Sequence, residues 1–309
     1  MEALGTILAS LRLESAMISR AHLRGRWGVH ATGGAGMIVH GIVTGHAVLA
    51  RDAAPDERVV LEPGDVAILT RGDAHTLVHE RGASTVPLRS IATDRARGIP
   101  TVDYGASGDE ETRIVCGSIT LDHPAADGIV SLLPACLSAK AGDGARKRWI
   151  VSTLALLDEE PWPSGREPGV RSLVDSVFVH VLGAAAASAS STSSLIAAAR
   201  DAQIGQALAL VHGEPGHAWS VAELGRRVGL SRTRFFDRFS ELVGEPPARY
   251  IARWRVHAAA DLMTRRDLST AEIAERVGYS SEDALAKVFR RYVGMSPTQW
   301  RRMREAGTA

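Results

Sequence analysis

The sequence predicts an α+β chain of two domains: a small N-terminal β-barrel with a helical extension, then a C-terminal all-α domain with two helix-turn-helix units. Three observations predict it. Residues 20–90 break into short apolar runs separated by Gly, Asp and Pro clusters, which is strand-and-turn patterning. From about residue 125 the spacing turns helical, most clearly in a stripe from Val170 to Leu182. The last third of the chain contains an internal repeat. With 309 residues and roughly 100–200 residues per domain, two domains fit.

The strand candidates are Met37-Ile38-Val39, Val43, Ala47-Val48-Leu49, Val59-Val60-Leu61 and Val66-Ala67-Ile68-Leu69. Strands this short and closely spaced suggest a small barrel or sandwich over residues 1–110. Residues 111–182 read as a helical coupling and dimerisation region. There Val170, Leu173, Val174, Val177, Phe178, Val181 and Leu182 fall on one helical face, a stripe that fits either the chain's own barrel or a partner's copy. The Ala/Ser-rich stretch 183–200 reads as a linker whose alanines are able to extend the preceding helix. Residues 201–309 form the last domain, expected to fold alone.

A hydrophobic fraction of 45 % with 23 % charge excludes a mainly disordered chain. No apolar run approaches the ~18–20 residues of a membrane span, and the first residues lack the basic segment of a secretory signal. Cys116 and Cys136, the two cysteines, build neither a disulfide scaffold nor a zinc ribbon. A cytoplasmic location is expected. The net charge of +1 hides an asymmetry: residues 203–309 carry 17 basic against 12 acidic side chains, and residues 1–202 carry 19 against 23. A basic last third on an acidic body points to nucleic acid.

The repeat is read directly. Ala222-Glu223-Leu224 recurs as Ala271-Glu272-Ile273 and Arg227-Val228-Gly229 as Arg276-Val277-Gly278, both offset by 49. Past the glycine the offset is 50, pairing Phe235 with Leu285, Phe239 with Phe289, Val243-Gly244 with Val293-Gly294, Pro247 with Pro297 and Tyr250 with Trp300. Each copy is a helix, a glycine turn and a second helix, over 220–243 and 269–293, with Ser220 and Ser231 as caps in the first. Phe235, Phe239 and Leu242 face inward in the first copy; Leu285, Phe289 and Val293 do so in the second. Outward positions are Arg232, Thr233, Arg234, Phe236, Asp237 and Arg238, then Glu282, Asp283, Ala284, Lys287, Arg290 and Arg291. Such a unit offers the outer face of its second helix to the major groove. The segment from Pro247 to Thr264 reads as a connecting helix roughly 27 Å long, which suits two recognition helices about one DNA turn, ~34 Å, apart. Its acids give the second helix the weaker hold on phosphates, so the first is expected to supply most of the affinity.

Residues 203–309 resemble the DNA-binding domain of AraC/XylS-type transcription regulators. The matching stretches are Ala222-Glu223-Leu224, Val228-Gly229-Leu230-Ser231, Phe235 with Arg238-Phe239, Ile273-Ala274 through Gly278-Tyr279-Ser280, Phe289-Arg290-Arg291, and Gly294-Met295-Ser296-Pro297 with Trp300-Arg301. The resemblance implies seven helices, binding to double-stranded promoter DNA and recruitment of RNA polymerase. Asp237 stands where relatives often carry Arg, so their base preferences do not transfer.

The N-terminal half resembles the cupin-type sensor domains fused to some members of that family. Gly34, His40 and Gly45 resemble a first cupin motif; Gly64-Asp65 with Arg71-Gly72-Asp73-Ala74-His75 resembles a second; Cys116-Gly117 and Leu132-Leu133-Pro134 add to the match. This implies a pocket for a small-molecule effector, whose identity the sequence does not name, beside a helical region that often dimerises. A metal-binding cupin typically takes two histidines and a carboxylate from its first motif. Here Ile42 stands two residues after His40, no Glu is near, and Thr70 replaces the usual proline of the second motif. Trp27, His40, His75 and His79 are therefore candidate pocket residues; the alternative is a three-histidine metal site from His40, His75 and His79. Cys116, in a strand, and Cys136, in an apolar helical context, read either as buried small hydrophobes or as a redox switch.

These features together predict a cytoplasmic, ligand-responsive, sequence-specific DNA-binding regulator, able to form a homodimer, with no membrane partner, no enzyme activity and no firm cofactor. The alternatives are a cupin-type metal enzyme and a redox-sensing regulator using Cys116 and Cys136.

Overall fold

The computed structural model describes residues 13–34, 36–94, 99–105, 110–121, 130–159, 167–188, 195–263 and 268–307. Two compact units emerge among the described residues, one within 13–120 and 134–188, the other of residues 121, 130–133 and those described within 195–307.

The first unit is a sandwich of two sheets. Its strands are β1 (Leu13–Arg24), β2 (Gly28–Ala31), β3 (Met37–Thr44), β4 (Ala47–Arg51), β5 (Ala54–Leu61), β6 (Val66–Leu69), β7 (His75–Val78), β8 (Val86–Pro87), β9 (Thr93–Asp94), β10 (Thr101–Gly105), β11 (Glu111–Leu121) and β12 (Cys136–Ala139). The order is β12-β6-β3-β11-β1-β10-β9 in one sheet and β5-β4-β7-β2-β8 in the other. The sheets remain separate where a barrel would close, which corrects that part of the sequence reading. Two further strands, β11 and β12, lie inside the stretch expected to be a helical region from residue 111. β12 pairs Cys136 with Leu69, so Cys136 lies on a strand and not in a helix. β-Branched runs such as Ile114-Val115 and the short Cys136–Ala139 segment suit a pleated, covered surface.

At β6 both faces of the larger sheet are buried, which is why Val66–Leu69 is an unbroken apolar run. The register sets Cys116 opposite His40 and His40 opposite Ala67. That row faces the interior shared with Leu23, Trp27, Leu49 and Leu77. The other face receives α1 (Gly144–Glu159) and α2 (Glu167–Ser188). At Gly41 a Cβ would lie 2.5 Å from Leu154 of α1, so glycine lets the helix approach β3. The end of α1 is pinned by polar contacts: Arg20 donates to the Leu157 carbonyl at 3.0 Å, and buried Asp158 pairs with Arg113.

The α2 stripe packs internally. Val174, Val177, Phe178 and Val181 are buried on a helix that lies against β12, β1 and β6. Of the two partners open to the stripe, the chain's own sheet is the one found. α2 runs on to Ser188 through its alanines, and Leu195–Arg200 is again helical. The linker expected over 183–200 is thus helix at both ends, because Ala carries the strongest helix propensity; residues 189–194 lie outside the described residues.

The second unit is helical: α3 (Leu195–Arg200), α4 (Ala202–Gly213), α5 (Val221–Arg227), α6 (Arg232–Val243), α7 (Pro247–Met263), α8 (Thr270–Arg276), α9 (Glu282–Val293) and α10 (Pro297–Gly307). Ser220 and Ser231 cap α5 and α6 as their spacing predicts; Ser269, in a capping box with Glu272, and Ser281 do the same for α8 and α9. The two turns close through Gly229 (φ 72°) and Gly278 (φ 81°), backbone conformations that favour glycine. Phe235 and Phe239 anchor one core with Tyr250, while Leu285, Phe289 and Trp300 anchor the other; α7 contributes to both. Leu242 is only half-buried, and Val243 takes the inward position expected of it. No described helix is long and apolar enough to cross a membrane.

Candidate nucleic-acid interface and sensor interior

On α6, Arg232, Thr233, Arg234, Phe236, Asp237 and Arg238 are exposed while Phe235 and Phe239 are fully buried. The helix offers three cations and one aromatic ring outward. On α9, Glu282, Asp283, Lys287, Arg290 and Arg291 are exposed, and Ala284 is half-buried in the first turn. Glu282 and Asp283 sit where the helix dipole favours negative charge. The α6 face matches the positions read from the repeat, and the α9 face does so except at Ala284.

Arg238 differs from its neighbours. Its Nε donates to Asp201 Oδ2 at 3.1 Å, and a terminal nitrogen meets the same oxygen. Asp201 also caps α4, its Oδ1 accepting from the backbone N–H groups of Gln203 (3.0 Å) and Ile204 (2.9 Å). Partial burial pushes the Asp201 carboxyl up, but the Arg238 and backbone hydrogen bonds outweigh it and hold it below its ordinary value. Arg238 therefore ties the recognition helix to the start of α4 and is engaged within the chain. Outward spacing on a helix reports direction, not what the side chain finds there; the Asp201 cap, one residue before α4, was the available signal.

The interior of the sandwich brings two of the predicted histidines together. His40 Nε2 lies 2.9 Å from His75 Nε2, and His40 Nδ1 lies 3.2 Å from Cys116 Sγ. His75 Nδ1 lies 2.8 Å from the Asp73 carbonyl. Proton bookkeeping fixes the direction. A carbonyl only accepts, so His75 Nδ1 carries the hydrogen and its Nε2 accepts from His40. His40 Nδ1 then accepts from the Cys116 thiol. Every member is neutral: burial, then the neighbouring His75, lowers the His40 pKa well below its usual value; burial lowers that of His75 against the pull of the Asp73 carbonyl; and burial pushes the Cys116 thiol up to about 12.

The other candidates lie elsewhere. His79 pairs with Glu110 at 3.3 Å and packs on His46. The three-histidine convergence does not form, and among the described residues no group of three or more His, Cys, Asp and Glu side chains is arranged to hold a metal. Trp27 is buried in the core and donates its indole N–H to Thr112 Oγ1 at 3.3 Å. Cys136 is pushed up to about 11 by burial. The sheet order sets it three strand spacings from Cys116, roughly 14 Å at ~4.8 Å each. A disulfide needs Cα atoms within ~7 Å, so the two thiols do not meet.

Residues 2–187 match the family model described as Cupin, and residues 224–303 match one described as Helix-turn-helix domain. An AraC-like transcription regulator of Streptomyces antibioticus is 27 % identical over 307 residues, which cover 98 % of this chain and 99 % of that one. RclR, the RCS-specific HTH-type transcriptional activator of Escherichia coli K12, is 26 % identical over 266 residues, covering 85 % of this chain and 83 % of its own. Among solved structures, the DNA-binding domain of AdpA in complex with a target DNA is 32 % identical at a TM-score of 0.32, covering 34 % of this chain and 95 % of that one.

A cupin-type sandwich ahead of two helix-turn-helix units defines a ligand-responsive, DNA-binding transcription regulator. The chain belongs to the AraC family of such regulators, with a cupin-type ligand-binding domain and a C-terminal DNA-binding domain.

Proposed function

We propose that the chain grips promoter DNA through both recognition helices, α6 and α9, in successive major grooves, under control of a small polar effector bound at His40 and His75. One observation carries the DNA part: two independently capped units present basic outer faces over apolar inner ones. For the effector, support comes from the proton chain, a buried polar site whose donors and acceptors a ligand would have to replace. The reading is recognition without turnover, and action on promoter DNA places the chain in the cytoplasm. Effector binding would shift the population of DNA-competent arrangements, with RNA polymerase as the protein partner at the promoter. A second copy of the chain is the partner proposed for the outer face of α1 and α2, where Trp149, Leu156 and Val179 are 40 %, 40 % and 51 % exposed.

The test is a titration of the full chain against a duplex that it selects from random-sequence DNA, repeated over a range of salt. Counterion release requires log affinity to fall linearly with log salt, by about 0.9 per phosphate contacted. A salt-independent signal would defeat the DNA reading. His40→Ala and His75→Ala should change the effector response and leave effector-free DNA binding in place.

A further inference from the structure

Arg255 sits on α7, the helix between the two helix-turn-helix units, and its guanidinium uses each of its three nitrogens on a different carbonyl. Nε donates to Pro215 O at 2.9 Å and one terminal nitrogen to His217 O at 2.7 Å; the other donates to Gly278 O at 3.2 Å. Pro215 and His217 belong to the loop that enters the first unit, a loop held to α5 by His217 on Glu223 (3.1 Å). Gly278 is the turn of the second unit. The same two segments touch directly: a Cβ on Gly216 would lie 2.5 Å from Arg276 O, and one on Gly278 would lie 2.7 Å from Gly216 O. Tyr279, next to the turn, lies under the guanidinium with its ring centre 5.6 Å away.

We propose that Arg255 is a positioning residue for DNA recognition: by clamping the entry loop of the first unit to the turn of the second, it sets the spacing and angle between the two recognition helices. The proposal rests on the reading that both units engage DNA. The planar fork spreads its donors over three nitrogens, each on its own carbonyl, whereas a lysine gathers its three N–H donors on one nitrogen and cannot sit at all three positions. α7 alone joins the units end to end, which leaves their relative rotation to side-chain packing, whereas the clamp ties the two loops across the helix. A rotation of one unit shows in DNA as a change of preferred spacing, because each added base pair turns the next groove about the duplex axis.

The experiment uses the full chain and a two-box duplex that it selects from random-sequence DNA. Affinity is measured on that duplex, on versions with one or two base pairs inserted or removed between the boxes, and on one with the second box scrambled. The proteins are wild type, Arg255→Lys and Gly216→Ala, the second of which disturbs the junction without altering the arginine. Wild type should lose about tenfold or more on a two-base-pair change, the scale of a lost base contact or two. Both variants should weaken on the selected spacing, flatten the spacing profile to within about twofold, and keep wild-type affinity for the one-box duplex. A wild-type spacing profile in both variants overturns the proposal while leaving two-unit binding intact. Loss of one-box binding in both variants overturns it in favour of a purely structural role. Wild-type binding indifferent to spacing and to the second box overturns the two-unit reading itself, and the proposal with it.

Discussion

His40 and His75 spend hydrogen-bonding capacity on each other in a place that disfavours charge, and that has a signed consequence for stability. Both are held below their ordinary pKa of 6.5 by burial, so the unfolded chain takes up protons first as pH falls. Stability is full above the unfolded value and drops as pH falls through it toward the lowered folded values, by up to about 1.4 kcal/mol per pH unit for each histidine. Melting of the full chain between about pH 5 and 8 should show this slope in the transition of the sandwich; a flat or inverted profile would contradict the neutral chain. At its other end, Cys116→Ser keeps an O–H donor for His40. Cys116→Ala removes it, and should cost about 1–3 kcal/mol more than the serine variant. Arg238 and Arg232, both on α6, separate by salt. Arg232→Ala should lower the slope of log affinity against log salt by about one. Arg238→Ala should leave that slope alone and lower the melting temperature of the helical unit, since its partner is Asp201. The histidine positions were legible from the two cupin-like motifs, and the outward face of α6 from its period. Which atoms they meet was not, because pairing depends on strand register and on residues far away in sequence.

At the scale of elements, periodicity named most faces, missing at Leu242, and named partners incompletely. The stripe on α2 was visible from Val170 to Leu182, but a stripe states only that a face is covered. With Phe178 2 % exposed against its own sheet, Phe178→Asp should unfold the sandwich, at a cost exceeding the ~3–5 kcal/mol of a buried Phe→Ala change. Far-UV circular dichroism with sedimentation would decide; a folded monomer would restore the partner-copy reading. β12 was misread because its four residues are too few for a period of two to stand out in the sequence, although Leu137 and Ala139 are buried while Cys136 and Ser138 are only half-buried. α3 was misread because Ala-rich composition suits linker and helix alike. Leu195, Ile196, Ala198 and Ala199 are buried on a helix packed against α4 and α6. A fragment beginning at residue 201 lacks that cover and should lose roughly 3–6 kcal/mol relative to one beginning at 195, from the two large side chains alone. Equal melting temperatures for the two fragments would show that α3 is dispensable.

For the whole molecule, the repeat and the charge asymmetry together carried the functional class, since two copies of a capped unit at an offset of 49 to 50 leave few other readings. What sequence order concealed is the route of the chain. Residues 130–133 lie between β11 and β12 in sequence, yet they belong to the helical unit. There the Leu195 N–H donates to the Leu132 carbonyl at 3.0 Å, and Val130 and Leu133 are buried. Continuity of the backbone between 189 and 194 is then not the sole bond between the halves of the sequence. A protease site engineered into that stretch and fully cleaved would yield two polypeptides that stay together, the first supplying 130–133 to the helices of the second. The pair should co-elute as one species and separate only when the helical unit melts, making this regulator a candidate for split-protein reconstitution, with the two pieces expressed apart and assembled by mixing.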